Sequence, residues 1–268
     1  MPGPFEQACQ LEALGGGVYE GVLGRTWWGS VSENGGYVLA LALAAYEREL
    51  DDPDKQALRV TLDYHRPVID GEIRIEVDIP RHGRTTAGGT VRIWSNGKLA
   101  CLGIASSARH RPGGEFAARA MPEVESIGAE EPPLDKNSEF PLYANVRRWS
   151  RLAEASGPHG ARVGGWVQQV VPEVIDHRWL ALLVDLWWPA AYKVWGENVV
   201  TQTVDMGYHG RATLPMESLP PGTPLFVVHT ARTSVNGFVD EDCEIWSPDG
   251  QLLGQGRQIF IVHAARRF

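Results

Sequence analysis

The stretch Ile93-Trp-Ser-Asn-Gly-Lys-Leu99 returns near the C-terminus as Ile245-Trp-Ser-Pro-Asp-Gly-Gln-Leu252, the same hairpin with one extra turn residue. No other feature constrains the fold as much, because a chain that repeats a supersecondary unit builds its architecture twice. A weaker echo sets Asp63-Tyr-His-Arg-Pro67 against Tyr208-His-Gly-Arg-Ala212.

The same order of elements surrounds each hairpin. In the first half, residues 36–50 are rich in strong helix formers and stop at the Asp51-Asp52-Pro53 turn, which predicts a helix. Alternating segments follow at 58–65, 72–79, 89–94 and 99–106, the period of half-buried antiparallel strands. In the second half, an apolar stretch over 176–188 reads as a helix, and 199–209, 225–233, 238–246 and 252–262 read as strands. Between the halves, residues 111–141 are rich in Pro, Gly and Glu and read as a linker with a short helix around Phe116–Met121. The expected division is an N-terminal unit over 1–115, a linker over 116–141 and a C-terminal unit over 142–268.

Composition excludes several classes of function. A chain of 268 residues that is 43% hydrophobic and 22% charged is an ordinary globular sequence rather than a disordered or coiled-coil one. No apolar run is long enough to span a membrane and no basic-then-apolar leader opens the chain, so the expected address is the cytoplasm. A net charge of −8 with scattered basic residues argues against nucleic acid as a partner. Cys9, Cys101 and Cys243 form no metal or disulfide spacing and read as buried apolar residues. Nucleophile elbow, zinc-protease, phosphate-loop and dinucleotide motifs are all missing.

Two copies of one helix followed by an antiparallel sheet point to an α+β fold of the tandem (double) hotdog kind, each half a long helix wrapped by a curved sheet. Both helices look apolar nearly all round, as enclosure requires, and two such sheets can join edge to edge. Asn34-Gly-Gly-Tyr-Val38, Ala181-Leu-Leu-Val-Asp-Leu-Trp-Trp-Pro189, Thr201-Gln-Thr-Val-Asp205 and the ending from Gly237 to Gln258 resemble the double-hotdog acyl-CoA thioesterases of the thioesterase II type, over nearly the whole chain. That resemblance implies hydrolysis of a fatty acyl-CoA by water held by an Asp, a Thr or Ser, and a Gln, all in the C-terminal unit. It places the aspartate at Asp185 and the glutamine at Gln258. Counting back from Arg211 puts the third group at Gln202, while the local pattern favours Thr203; the two lie on opposite faces of a strand. It implies no cofactor beyond the CoA of the substrate, and a homo-oligomer.

The residues support this reading in their own right. A carboxylate inside Trp179–Trp188 is costly to bury without partners or a shifted pKa, so Asp185 is either catalytic or a helix-terminus cap or arginine partner. Gln258 is either catalytic or an exposed strand residue, and its counterpart in the first repeat, Ala105, is a methyl group, as expected of one working site in a duplicated chain. Asn34-Gly35-Gly36 opens the first helix, and the expectation is that the amides near Gly36 and Tyr37 receive the thioester oxygen; the plainer reading is a capping turn. Trp187 and Trp188 adjoin Asp185 and are candidate substrate contacts. Asp240, Asp242 and Glu244 alternate on one strand face, which reads as solvated rather than as a metal site. Two other classes stand beside the thioesterase. One is a non-catalytic acyl-CoA or acyl-carrier-protein binding module. The other is a hydratase of the same fold, for which the Asp-to-His spacing on one helix is missing.

Overall fold

A computed structural model describes residues 2–111, 113, 116–134, 140–155, 159–196 and 199–263. After a short helix α1 (Pro4–Ala8), the chain forms strands β1 (Glu12–Gly15) and β2 (Val18–Leu23), helix α2 (Gly35–Leu50), and strands β3 (Lys55–Tyr64), β4 (Gly71–His82), β5 (Thr86–Ser95) and β6 (Lys98–Arg109). The order then recurs. Strands β7 (Val146–Glu154) and β8 (Ala161–Gln169) precede helix α3 (His177–Leu183) and a single turn α4 (Tyr192–Trp195). Strands β9 (Val200–Gly210), β10 (Leu225–Val235), β11 (Phe238–Trp246) and β12 (Leu252–His263) complete it.

All twelve strands join one antiparallel sheet in the order β1-β2-β4-β5-β6-β3-β9-β12-β11-β10-β8-β7. The second six repeat the first six about the β3·β9 seam, where Val60 faces Tyr208 and Asp63 faces Asp205. The fold is thus α+β. Pairing of β3 with β9 removes what would be an open edge on each half. Both repeated hairpins also slip register at the same place, between Ile93 and Trp94 and between Ile245 and Trp246.

The eight predicted strands are present, most of them longer by one to several residues, with β11 matching 238–246 unchanged and β9 displaced by one residue; four more, β1, β2, β7 and β8, escaped the sequence reading. The helix expected over 176–188 is shorter. Asp176 caps it by accepting from the Trp179 amide at 2.9 Å, and it ends at Leu183. Beyond that, the amides of Val184, Asp185 and Leu186 bond back three residues, to Ala181, Leu182 and Leu183, which tightens the last turn and carries Asp185 out of the helix.

The reason is the crossing with α2. A Cβ on Gly36 would stand 2.2 Å from the Leu182 carbonyl oxygen, so the start of α2 lies directly against the end of α3. On the other side, a Cβ on Gly256 of β12 would stand 2.4 Å from Val184, so the same turn is pressed onto the sheet. α2 is sealed inside, with Leu39, Leu41 and Leu43 fully buried, and among the described residues no helix is long and apolar enough to cross a membrane.

No helix forms at Phe116–Met121, and residues 116–134 run instead as a strap over the outer face of the second half. Met121, Val124 and Ile127 pack on Trp149, Trp166, Phe226, Val228 and Trp246. The indole N–H groups of Trp149 and Trp166 donate to the carbonyls of Glu131 (3.1 Å) and Glu125 (2.8 Å). This covers an apolar patch that would otherwise invite association.

Replacing Gly36 by Ala will lower stability by about 1–3 kcal/mol, the usual cost of overpacking, although the same change inside an open helix stabilises by roughly 0.5–1 kcal/mol. Thermal denaturation decides between the two, and a raised midpoint would show that the helix crossing can give way.

Candidate active site

The N-terminus of α2 and the turn after α3 meet around one carboxylate. Asp185 Oδ2 accepts from the Gly35 backbone N–H at 2.8 Å and from Asn34 Nδ2 at 3.0 Å, and the same Nδ2 donates to the Asp185 carbonyl at 2.7 Å. Asn34 Oδ1 in turn accepts from the Tyr37 amide at 3.0 Å as the α2 cap. Asn34 therefore binds both helices with one side chain. The Tyr64 hydroxyl donates to the Gly35 carbonyl at 2.7 Å, which fixes this corner to β3.

The expectation for the α2 N-terminus needs correcting. The Gly35 amide serves Asp185, the Tyr37 amide serves the Asn34 cap, and Gly36 also directs its amide toward Asp185, so these donors hold a carboxylate rather than stand open for a thioester oxygen. Burial pushes the Asp185 carboxyl up to about 6; the Gly35 amide, the positive His229 and the Gly36 amide pull the other way, and Glu241 adds to the rise. A group so placed is mostly ionised at neutral pH and is still a competent proton acceptor.

Facing this corner from the sheet is a buried polar cluster. Gln258 on β12 is not exposed, and its Nε2 donates to Glu241 Oε1 at 3.0 Å. Glu241 Oε1 also accepts from His229 Nδ1 at 3.1 Å, while its Oε2 accepts from the Ala190 amide at 2.6 Å. Glu241 and His229 are at most 1% exposed. Burial opposes a charge on His229, but Cys243 opposite it and the Glu241 carboxylate outweigh that and raise its pKa well above the ordinary value.

Thr203 joins the cluster, its hydroxyl 3.5 Å from Gln258 Oε1, whereas Gln202 is exposed on the other face. A β-bulge makes this choice. Gln258 pairs with Met206 and Ile259 with Asp205, but Phe260 pairs with Thr203, so Val204 is the extra residue and alternation restarts one position early. β3 has its bulge at the equivalent place, between Ala57 and Arg59.

Trp187 and Trp188 lie in an aromatic group beside the turn. Trp187 is buried near the Arg148 guanidinium, and Trp188 packs on Phe140 and Tyr143, with ring centroids 5.4 and 5.9 Å away. The Tyr143 hydroxyl donates to the Leu186 carbonyl at 3.0 Å and steadies the segment that bears Asp185. Glu33, just before the cap, is buried with no partner on either carboxylate oxygen, and burial together with Asp70 pushes it up to about 7. Asp240, Asp242 and Glu244 face outward and pair with Arg257, Arg232 and Arg119.

Sequence reading missed His229, Glu241 and the bond from Asn34 to Asp185. The signal for Glu241 was available, since it sits out of phase with Asp240, Asp242 and Glu244 and so turns inward from their solvated face.

Comparison with known proteins agrees with this architecture. Residues 25–108 match the family model of the acyl-CoA thioesterase N-terminal domain, and residues 120–262 match that of the C-terminal domain. A search among curated proteins finds no match. Among solved structures, a hot dog fold protein of unknown function from Alicyclobacillus acidocaldarius is 23% identical with a TM-score of 0.87, covering 98% of this chain and 99% of its own. A putative thioesterase II from Thermobifida fusca YX is 22% identical with a TM-score of 0.79, covering 98% of each chain. An acyl-CoA thioesterase II from Mycobacterium marinum is 17% identical with a TM-score of 0.76, again covering 98% of each. These likenesses establish the hotdog fold. With both of its halves matched to the paired domains of one family, the chain belongs to the acyl-CoA thioesterases and is a thioester hydrolase.

Proposed function

We propose that the chain is a tandem hotdog, with units over 1–115 and 142–268 joined by 116–141, and that it hydrolyses a fatty acyl-CoA to the free acid and CoA at one site in its second unit. The observation that carries this is Asp185, a carboxylate lodged at a helix N-terminus with its pKa raised to about 6, beside a cluster that holds Gln258 and Thr203.

Asp185 Oδ2 is committed to Gly35 and Asn34, which leaves Oδ1 to accept a proton from water. Gln258 and Thr203 orient that water toward the thioester carbonyl carbon. Attack forms the C–O bond while Asp185 takes the proton; collapse of the tetrahedral intermediate breaks the C–S bond, and the proton passes to the departing CoA sulfur. Trp187 and Trp188 line the approach of the acyl group. Gln202 has no part in this chemistry because the bulge turns it away.

Asp185→Asn will lower kcat by roughly 10²–10⁴-fold, the range for loss of a positioned base. Release of free thiol across acyl-CoAs from short to long chain measures this. A wild type that binds acyl-CoA but turns over none of them would leave a binding module instead. Thr203→Ala will cost about tenfold in kcat, near the worth of one hydrogen bond, and Gln202→Ala will cost nothing measurable; a reversed order would place the other face in the site.

The pH dependence has a definite sign. Asp185 must be ionised to act, so kcat/KM rises with pH and levels off above about 6. Glu33 titrates near 7, and Glu33→Gln will leave the midpoint in place if Asp185 sets it. Stability runs the other way. A carboxyl whose pKa is raised on folding holds its proton more tightly in the native state, so its contribution is fully present below the unfolded value of 3.8 and is lost as pH rises through about 6. Asp185→Asn is accordingly expected to melt at the same or a higher temperature than wild type at pH 8, and a markedly lower melting temperature would contradict the strained carboxylate.

A further inference from the structure

The two halves of the chain differ most sharply where the site lies. Counting from the helix caps Asn34 and Asp176, Asp185 corresponds to Leu43. Counting from the repeated tryptophans Trp94 and Trp246, Glu241 corresponds to Gly89 and Cys243 to Val91; counting from Leu99 and Leu252, their partners across the hairpin, Gln258 corresponds to Ala105. The cross-strand pairs agree: Glu241 faces Gln258 as Gly89 faces Ala105, and His229 faces Cys243 as Val77 faces Val91. Thr203, opposite Phe260, corresponds to Ala57, opposite Ser107. Asp185, His229, Glu241, Gln258 and Thr203 thus stand where the first half has Leu43, Val77, Gly89, Ala105 and Ala57. The first half forms the same arrangement of strands without any of them, so His229 and Glu241 are not needed to build a hotdog half.

Hydrogen bonding says what they do. An ionised carboxylate can only accept, so Glu241 obliges Gln258 to turn its NH₂ edge toward it and its carbonyl oxygen toward Thr203. Without that constraint the amide can flip, which exchanges donor for acceptor where the water is held. Glu241 Oε2 meanwhile takes the Ala190 amide, on the segment that follows Asp185 and the two tryptophans. One carboxylate therefore ties the strand bearing Gln258 to the turn bearing Asp185. His229 supplies the proton donor that keeps Glu241 in place.

We infer that the buried His229–Glu241 pair is a positioning device that sets the amide orientation of Gln258 and its distance from Asp185. This rests on the proposed roles of Asp185 and Gln258 and adds two residues that act through them without touching the substrate.

The test is a comparison of Glu241→Gln, the joint His229→Val and Glu241→Ala variant, and Gln258→Ala. Removing one member leaves the other buried and unpaired, whereas removing both leaves no buried charge and follows the apolar pattern of the first half; with the Gln258 and Ala190 amides losing their acceptor, the joint variant is expected to fold with a modestly lowered melting temperature. The joint variant should lose about tenfold or more in kcat with KM within roughly twofold of wild type, and nothing further when Gln258 is already Ala, since coupled residues fail to add. Full additivity with Gln258→Ala, or unchanged kcat in the folded joint variant, would overturn the inference. The reading of Asp185 is judged separately: if Asp185→Asn abolishes turnover while the joint variant keeps it, only the positioning role fails. Should wild type hydrolyse no acyl-CoA, that reading fails, and the positioning role is decided by the Gln258 side-chain amide in ¹⁵N NMR. Two widely separated Nε2 proton signals in wild type that converge in Glu241→Gln support it; signals alike in both proteins overturn it.

Discussion

The contact on which the site depends is the meeting of the α2 N-terminus with the last turn of α3. Gly36 lets the backbones touch at the Leu182 carbonyl, and only at that separation can Asp185 reach the Gly35 amide while Asn34 spans the gap to the Asp185 backbone. The helix N-terminus offers unpaired donors and a partial positive charge; here both go to a carboxylate that desolvation would otherwise protonate. Asp185 is thus a cap for α2 and a candidate base at once. The two readings that its sequence context left open are compatible.

Burying this much polarity requires a local balance of charge. Asp185 and Glu241 bring two negative charges into a region bounded by the sheet and the helices, and His229 with the positive end of α2 opposes them. Most of the hydrogen-bonding capacity is used within the cluster, which is what makes a buried network tolerable.

Much of the architecture was legible in the sequence because it depends on local chemistry. Period-two alternation marked the eight strands of the repeated hairpins, the helix formers of 36–50 marked α2, and the duplicated Ile-Trp-Ser segment gave the tandem order. The short leading pair β1 and β2 lacks a long alternation, and β7 and β8 carry tryptophans on the outer face, which breaks the polar-out pattern; the strap that covers those tryptophans could not be inferred from its own composition. The helix over 176–188 was read too long because apolar content continues past Leu183, and what stops it is a tertiary contact with Gly36.

The site was legible in a different measure. Asp185 stood out against its apolar neighbours and Gln258 against its repeat counterpart Ala105, but the choice between Gln202 and Thr203 turned on a bulge, and counting along a strand cannot reveal one extra residue. His229 and Glu241 were harder still: Glu241 is marked only by being out of phase with its acidic neighbours, His229 by nothing in its own segment, and they become a pair only when β10 and β11 are laid side by side. Duplication supplies the missing signal. Once each residue is set against its apolar counterpart in Val77 and Gly89, the second half is seen to have acquired an entire connected set rather than isolated polar residues. Because a buried carboxylate without its cation, or an amide without its acceptor, costs more than the methyl groups it replaces, such a set is most readily retained when its members support one another. The hydrogen-bonded cluster therefore holds together as a whole, tied through Ala190 to the segment that follows α3, while Asn34 joins Asp185 to the start of α2.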